Sequence, residues 1–230
     1  MKVVALSDVH GTFSIYNHVA KNAYNADYLF LIGDMVDFGN PDIASKKYTH
    51  YILEMTKQWD DYFSFIAEAS KNYKKLIYVE GNHHIGVTEN VFTNVSSNII
   101  RLENEYIELE DKLIYGTGWS YCSNERIAKA WDYMTTSLES DFYLWNQSTE
   151  LPQVDMNVDV ILSHCPPLNM LDENGLGSPG FAHWVKLKNE HKEKDVTIFS
   201  GHLHLDGGKT LKKENVTLYN VAQRVKVINL

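Results

Sequence analysis

The fold is decided by the stretch Leu29-Phe30-Leu31-Ile32-Gly33-Asp34-Met35-Val36-Asp37, a short apolar run that ends abruptly in a glycine and two carboxylates. An apolar run of this length, bounded by a turn signal, predicts a strand that is covered on both faces of its sheet. Ligands collect at the carboxyl ends of strands in open α/β sheets. We therefore expect this strand to deliver Asp34 to a functional site.

The same design, an apolar run followed by side chains of metal-ligand type, recurs four more times. The further runs are Val3 to Leu6 before Asp8 and His10, Leu76 to Val79 before Asn82 and His83, Val158 to Leu162 before His164, and Val196 to Phe199 before His202 and His204. Five predicted strand ends therefore carry residues that bind metals in other proteins.

The chain shows no repeat, low-complexity tract or linker, so residues 1–230 are expected to form a single domain. Helices are predicted at Ser14 to Ala23, Asp42 to about Asn72, Asn124 to Trp145 and Phe181 to about Lys192. Short segments between Ile99 and Gly116 alternate in polarity, which is typical of a sheet with one wet face. A parallel-looking α/β half and an antiparallel-looking half together predict two packed sheets.

The formal net charge of -9 is spread along the chain. A surface of this sign repels long polyanions, so we do not expect a long nucleic acid as a partner. A small phosphorylated substrate is compatible, because metal ions would reverse the sign inside a site. No run reaches the roughly 18 apolar residues of a membrane span, and the N-terminus lacks the features of a signal peptide. We expect a cytoplasmic protein without membrane association.

The oxygen and nitrogen ligands at the strand ends form a set of seven, Asp8, His10, Asp34, Asn82, His164, His202 and His204. Any one of them alone is explained by a helix cap or a structural histidine. A structural zinc site needs four ligands and favours thiolates, whereas seven suit two ions that share a bridging carboxylate, for which we choose Asp34. Two ions about 3.5 to 4 Å apart can hold a bridging hydroxide and orient a phosphoryl group. Histidine with carboxylate suits Mn first, and also Fe, Zn or Co.

Five blocks, in order along the chain, resemble the signature blocks of the calcineurin-like metallophosphoesterases. They are Asp8-Val9-His10, Gly33-Asp34-x-x-Asp37, Gly81-Asn82-His83, His164 and Gly201-His202-x-His204. The segments Ile114 to Trp119 and Ser163 to Leu168 also resemble the small phosphodiesterase branch of metallophosphoesterase-domain proteins. The resemblance implies a four-layer αββα sandwich, in which two packed mixed sheets with flanking helices carry a dimetal site at one end.

The resemblance also implies a role for each site residue. One metal would be held by Asp8, His10, Asp34 and His204, and the other by Asp34, Asn82, His164 and His202. Asn82 and His83 would bind the substrate phosphate. His83 would act as the general acid that protonates the leaving oxygen, and Asp37 would orient its imidazole, which agrees with the chemistry of a histidine paired to a carboxylate.

Two departures from the family pattern bear on function. His84 stands where the family usually has Asp or Glu, which predicts a shifted pH optimum. Phe38-Gly39 and Glu80 stand where the family's Ser/Thr protein phosphatases have arginines that grip a dianionic monoester. A diester carries a single negative charge and needs fewer cations around it, so we expect a phosphodiesterase for cyclic or other small nucleotide esters.

Two other functions stay open at this point. One is a phosphomonoesterase or nucleotide pyrophosphohydrolase, which would use the same metals on a different ester. The other is a non-catalytic protein-binding scaffold on the same fold, in which the ligand set would be eroded first. All seven ligands and His83 are intact here, which favours an enzyme.

Overall fold

The computed structural model describes residues 1–37, 48–83, 92, 94–118, 154–192 and 194–230, with the backbone alone at 48–52. The predictions for Phe38-Gly39, His84, the helix at Asn124 to Trp145 and the start of the helix at Asp42 therefore lie outside the described residues. None of the described helices is long and apolar enough to cross a membrane.

Eleven strands and three α-helices make up the described part of the chain. In order they are β1 (Lys2–Leu6), α1 (Asn17–Ala20), β2 (Tyr28–Ile32), α2 (Tyr48–Asn72), β3 (Lys75–Val79), β4 (Ile99–Arg101), β5 (Glu105–Leu109), β6 (Lys112–Thr117), β7 (Val160–Ser163), α3 (Pro179–His191), β8 (Val196–Ser200), β9 (Thr210–Lys213), β10 (Val216–Asn220) and β11 (Lys226–Asn229). Short 3₁₀ turns precede α1 at Phe13–Tyr16 and follow β8 at His204–Asp206.

The strands form two mixed sheets. The first has the order β11-β1-β2-β3-β4, in which only β11 is antiparallel to its neighbour. The second has the order β5-β6-β7-β8-β10-β9, with antiparallel pairs at its two edges and parallel pairs at its centre. The antiparallel pairing expected between Ile99 and Gly116 is found for β5 with β6, but β4 belongs to the first sheet, where it pairs parallel with β3, and β6 pairs parallel with β7. Strand β9 was not predicted, since its sequence, Thr-Leu-Lys-Lys, has a single apolar residue.

Three apolar layers hold the two sheets and their helices together. In β2, Leu29 and Leu31 face the layer beneath α1 and α2, while Phe30 and Ile32 face the layer between the sheets. The outer face of the second sheet packs on Trp184 and other side chains of α3. Both faces of β2 are thus covered, which explains why its sequence is a continuous apolar run. The predicted four-layer αββα sandwich is confirmed.

A buried carboxylate, Asp159, fixes the start of β7 between its two neighbours. Its Oδ2 accepts hydrogen bonds from the backbone N–H of Leu113 at 2.9 Å and from Lys194 Nζ at 2.8 Å. Burial alone would raise the pKa of Asp159, but the hydrogen bond and charge of Lys194 lower it below the ordinary value of 3.8. The folded state therefore favours the ionised form.

Replacing this carboxylate gives a test of the contact. We expect Asp159→Asn to lower the free energy of unfolding by about 1 to 3 kcal/mol near pH 7, since a charge-assisted hydrogen bond is lost in a buried setting. The stability that the ionised Asp159 contributes is present above the unfolded pKa and is lost as the pH falls through the lowered folded pKa. The difference in the free energy of unfolding between the wild type and Asp159→Asn should therefore shrink below about pH 3.8. Urea unfolding at several pH values measures it, with the exposed Asp195→Asn as control. A difference that does not change with pH would contradict this account.

Candidate metal centre

The parallel topology brings the polar strand ends to one edge of the molecule. Strands β1, β2 and β3 end beside one another, and the backbone N–H of Asp8 donates to Gly33 O at 3.1 Å. In the second sheet β7 and β8 also end together, and the N–H of Gly201 donates to His164 O at 3.0 Å. The loop after β10 joins the two sheets there, because Ser7 and Ala222 form a parallel bridge.

One group of possible ligands consists of Asp8, His10 and His204. The carboxylate of Asp8 lies 3.1 Å from His204 Nε2 and 3.8 Å from His10 Nε2. The two imidazoles face each other, with their Nε2 atoms 3.3 Å apart. The backbone N–H of His202 donates to Asp8 Oδ2 at 2.9 Å, which fixes the carboxylate.

A second group consists of Asp34, His164 and His202, with Asn82 beside them. His164 Nε2 lies 3.1 Å from Asp34 Oδ2 and 3.2 Å from Asn82 Oδ1. The other ring nitrogen of His164 donates to the backbone carbonyl of Ile32 at 2.7 Å. The rings of His164 and His202 meet edge to face at 5.2 Å between centroids.

Asp37 connects the first group to His83. Its Oδ1 lies 3.1 Å from His10 Nδ1 and 3.1 Å from His83 Nδ1. The backbone N–H of His83 donates to Asp34 Oδ1 at 2.8 Å, and its Nε2 lies 3.9 Å from Asp34 Oδ2. With its Nδ1 towards Asp37, the imidazole of His83 therefore turns Nε2 towards the ligands.

The backbone around these ligands is held in an uncommon conformation. Asp8, His10, Asp34 and His202 all have positive φ, at 57°, 46°, 48° and 65°. Such positions cost roughly 1 to 3 kcal/mol each and cluster at functional sites. A Cβ at Gly81 would lie 2.1 Å from Asp34 Oδ1, so the carboxylate occupies space that any other residue would fill.

The buried charges shift one another's pKa values. Burial alone would raise the pKa of Asp34, but His164, His83 and His10 hold it well below its ordinary value. Burial alone would lower the pKa of His164, whereas the charge and hydrogen bond of Asp34 raise it to about 9. Burial, with His164 nearby, lowers the pKa of His202 to about 4. His202 is therefore a neutral imidazole with a free electron pair, the form in which histidine binds metals.

The arrangement of donors and acceptors fits a cation. Because Nδ1 of His164 donates to Ile32 O, the neutral ring presents a lone pair at Nε2, which faces the oxygens of Asp34 and Asn82. Three acceptors that converge in this way need a proton or a metal ion between them. Histidine ligands usually donate their second ring nitrogen to a carbonyl or carboxylate, as His164 and His10 do here. The donor set therefore fits metal ions, and metal would compete with protons at His164.

All nine predicted site residues lie among the described residues, and the structure brings them together. Their assignment as metal ligands, acid and orienting carboxylate stays a prediction. Sequence reasoning missed Gln223, whose Nε2 lies 3.3 Å from His204 Nδ1, and Gln58, whose Oε1 accepts from the N–H of Asp37 at 2.7 Å. Glutamine has no signature in a motif, and both are distant in sequence from the residues that they contact.

Metal removal tests the ligand set through stability. Binding of an ion at 100 times its Kd stabilises the folded chain by about 2.7 kcal/mol, which is roughly 5 to 10 °C in Tm for a chain of this size. We expect Mn to raise the Tm of metal-stripped wild type by at least this amount and to raise that of Asp34→Asn much less. Asp27→Asn, the same change at a partly exposed residue that pairs with Lys74, is the control. An equal rise in Asp34→Asn would contradict the assignment.

Comparisons with known proteins agree with the fold. The chain matches the family described as calcineurin-like phosphoesterase over residues 1–206. A crystal structure of phosphopantetheinyl hydrolase from Mycobacterium tuberculosis is 17% identical, covers 96% of this chain and 88% of its own, and has a TM-score of 0.53. An archaeal phosphodiesterase is 13% identical over 96% of this chain and 84% of its own, with a TM-score of 0.42. No curated protein matches the chain. Since the family match spans most of its length, the chain belongs to the calcineurin-like phosphoesterases, a family of metal-dependent phosphoesterases.

Proposed function

We propose that the protein is a dimetal phosphodiesterase that hydrolyses small phosphodiesters, such as cyclic or other nucleotide esters, with His83 as the general acid. The observation that carries the proposal is the Asp37–His83 pair, 3.1 Å apart, beside two groups of ligand side chains. The family supplies the reaction class, and the pair supplies a proton donor for a poor leaving group.

The two groups define how the metals would be held. Asp8, His10, Asp34 and His204 would hold one ion, and Asp34, Asn82, His164 and His202 the other. Bound there, two ions, Mn in the first place, would withdraw charge from the phosphoryl oxygens and stabilise the attacking and leaving oxygens. Asp34 is the candidate for the shared ligand, because it contacts both groups: its Oδ2 lies 3.1 Å from His164 Nε2, and its backbone carbonyl accepts from the N–H of His10 at 3.1 Å.

His83 completes the hydrolysis by moving one proton. Water gives one proton to the solvent, and the resulting hydroxide adds its oxygen to phosphorus as the bond to the leaving oxygen breaks. His83 Nε2 gives its proton to that leaving oxygen and takes a proton from the solvent afterwards. Burial alone would lower the pKa of His83, but the charge of Asp34 and the carboxylate of Asp37 beside Nδ1 raise it above its ordinary value, which favours the protonated form that a general acid needs. Asp37 holds the ring with Nε2 directed at the ligands. Asn82 would bind the phosphate beside it.

The pairing of Arg101 supports a diester over a monoester. The sequence contains three arginines, Arg101, Arg126 and Arg224, and Arg126 lies outside the described residues. Arg101 pairs with Glu80, the residue before the Gly81-Asn82-His83 block: its Nη2 donates to Glu80 Oε2 at 3.2 Å and lies 2.6 Å from Glu103 Oε2. Its guanidinium is therefore committed to two carboxylates. Among the described residues, Asp8 and Asp34 form ion pairs with histidines only.

Hydrolysis of two model esters tests the proposal. We expect metal-stripped protein supplied with Mn to cleave bis(p-nitrophenyl) phosphate with a higher kcat/KM than p-nitrophenyl phosphate, because a diester carries a single negative charge and Arg101 is already paired with Glu80 and Glu103. Asp34→Asn should lose at least about a hundredfold in kcat, since a preorganised charge is removed. Asp27→Asn should retain wild-type rates, because Asp27 is remote from the ligands and pairs with Lys74.

Two other results would assign another function. Faster cleavage of the monoester would contradict the argument from Arg101 and support a phosphomonoesterase. Binding of two metals without cleavage of either ester would support the protein-binding scaffold. If the diester is cleaved faster than the monoester, a panel of cyclic nucleotides would define the substrate.

A further inference from the structure

A glutamine of the long helix, Gln58, contacts both of the loops that carry the site. Its half-buried side chain accepts a hydrogen bond at Oε1 from the backbone N–H of Asp37, at 2.7 Å. The same side chain lies against Gly11, where a Cβ would come within 2.6 Å of Gln58 Cδ and 2.7 Å of Cγ. In this conformation Gln58 therefore occupies the space that a side chain at position 11 would fill.

Asp37 is the residue through which this contact reaches the chemistry. One oxygen of its carboxylate lies 3.1 Å from both His83 Nδ1 and His10 Nδ1. Hydrogen bonds weaken steeply with distance and angle, so the two contacts depend on where the backbone of Asp37 is held. The backbone N–H of Gly11 donates to Met35 O at 3.0 Å, which joins the loops after β1 and β2 beside Gln58.

We propose that Gln58 is a positioning residue for the proton donor: it fixes the backbone of Asp37, and Asp37 fixes the imidazole of His83. The inference rests on the proposed function, because it requires a leaving oxygen that receives a proton from His83. It gives helix α2 a part in catalysis in addition to its part in the core. The amide oxygen is the atom that matters, since the contact needs an acceptor for the N–H of Asp37.

The leaving group separates this role from a structural one. The p-nitrophenolate ion leaves as a stable anion and needs little protonation, whereas phenolate needs more. A misplaced His83 therefore slows a phenyl ester more than a p-nitrophenyl ester. If Gln58 acted instead through His10 and the metal, both esters would slow alike, because the metals act on either.

The experiment compares methyl p-nitrophenyl phosphate with methyl phenyl phosphate as substrates of the Mn-loaded protein. Gln58→Met keeps the length of the side chain without the amide oxygen, and Gln58→Glu keeps an acceptor oxygen. The control, Lys57→Met, introduces methionine at an exposed neighbour. We expect the ratio of the phenyl rate to the p-nitrophenyl rate to fall by roughly tenfold in Gln58→Met. Gln58→Glu should restore most of the ratio, and Lys57→Met should have the wild-type ratio. Equal losses on both esters, with weaker Mn binding, would overturn the proposal.

A second measurement does not depend on turnover. Hydrogen exchange of the Asp37 amide, followed by NMR on Zn-loaded protein, should be at least about tenfold faster in Gln58→Met and slow again in Gln58→Glu, since a protecting hydrogen bond is lost and regained. Unchanged exchange in Gln58→Met would overturn the proposal whatever the rates. If the wild type cleaves neither ester, the proposed function fails, whereas the exchange still decides whether Gln58 holds Asp37.

Discussion

The burial of two carboxylates at neighbouring strand ends is the constraint on which the rest of the site depends. Asp8 and Asp34 are 1% and 2% exposed. An ionised carboxylate buried without compensation is very costly, so the surroundings must supply positive charge and hydrogen-bond donors. The described structure supplies both: the backbone N–H groups of His202 and His83 bind the carboxylates, and the imidazoles of His204 and His164 pair with them. The same requirement makes the site receptive to metal ions, which would replace the protons on those imidazoles.

The fold meets this constraint through parallel strands in two sheets. Parallel neighbours end at one edge, so three strands of the first sheet and two of the second deliver side chains to one place. The turns after these strands must bend back at once, which accounts for the positive φ of Asp8 and Asp34 and for the glycines beside them. Layers of apolar side chains on both sides of each sheet keep the strand ends in register. The strain in the loops is thus balanced by the core beneath them.

Much of this organisation was predictable, and the reasons are local. A continuous apolar run such as Leu29 to Ile32 specifies a strand buried on both faces, and the polar residues that follow it specify a site at its end. The place of β4 was not predictable, because its parallel pairing with β3 in the first sheet is set by long-range packing. Gln58 and Gln223 were missed because a hydrogen bond to a backbone or a ring nitrogen leaves no pattern in the sequence. The pairing of Arg101 with Glu80 was missed because the two residues meet only through the adjacent strands β3 and β4.

The proposed function requires Asp34 to join two ligand groups into a single dimetal centre. The most direct measurement is the electron paramagnetic resonance spectrum of protein loaded with Mn, together with the number of Mn ions per chain. If Asp34 bridges the ions, the wild type should bind two Mn ions per chain and give the multiline spectrum of a spin-coupled pair, which Asp34→Asn should convert to the signal of isolated ions. A single ion per chain, or two ions that give only the six-line signal of isolated Mn in the wild type, would contradict it.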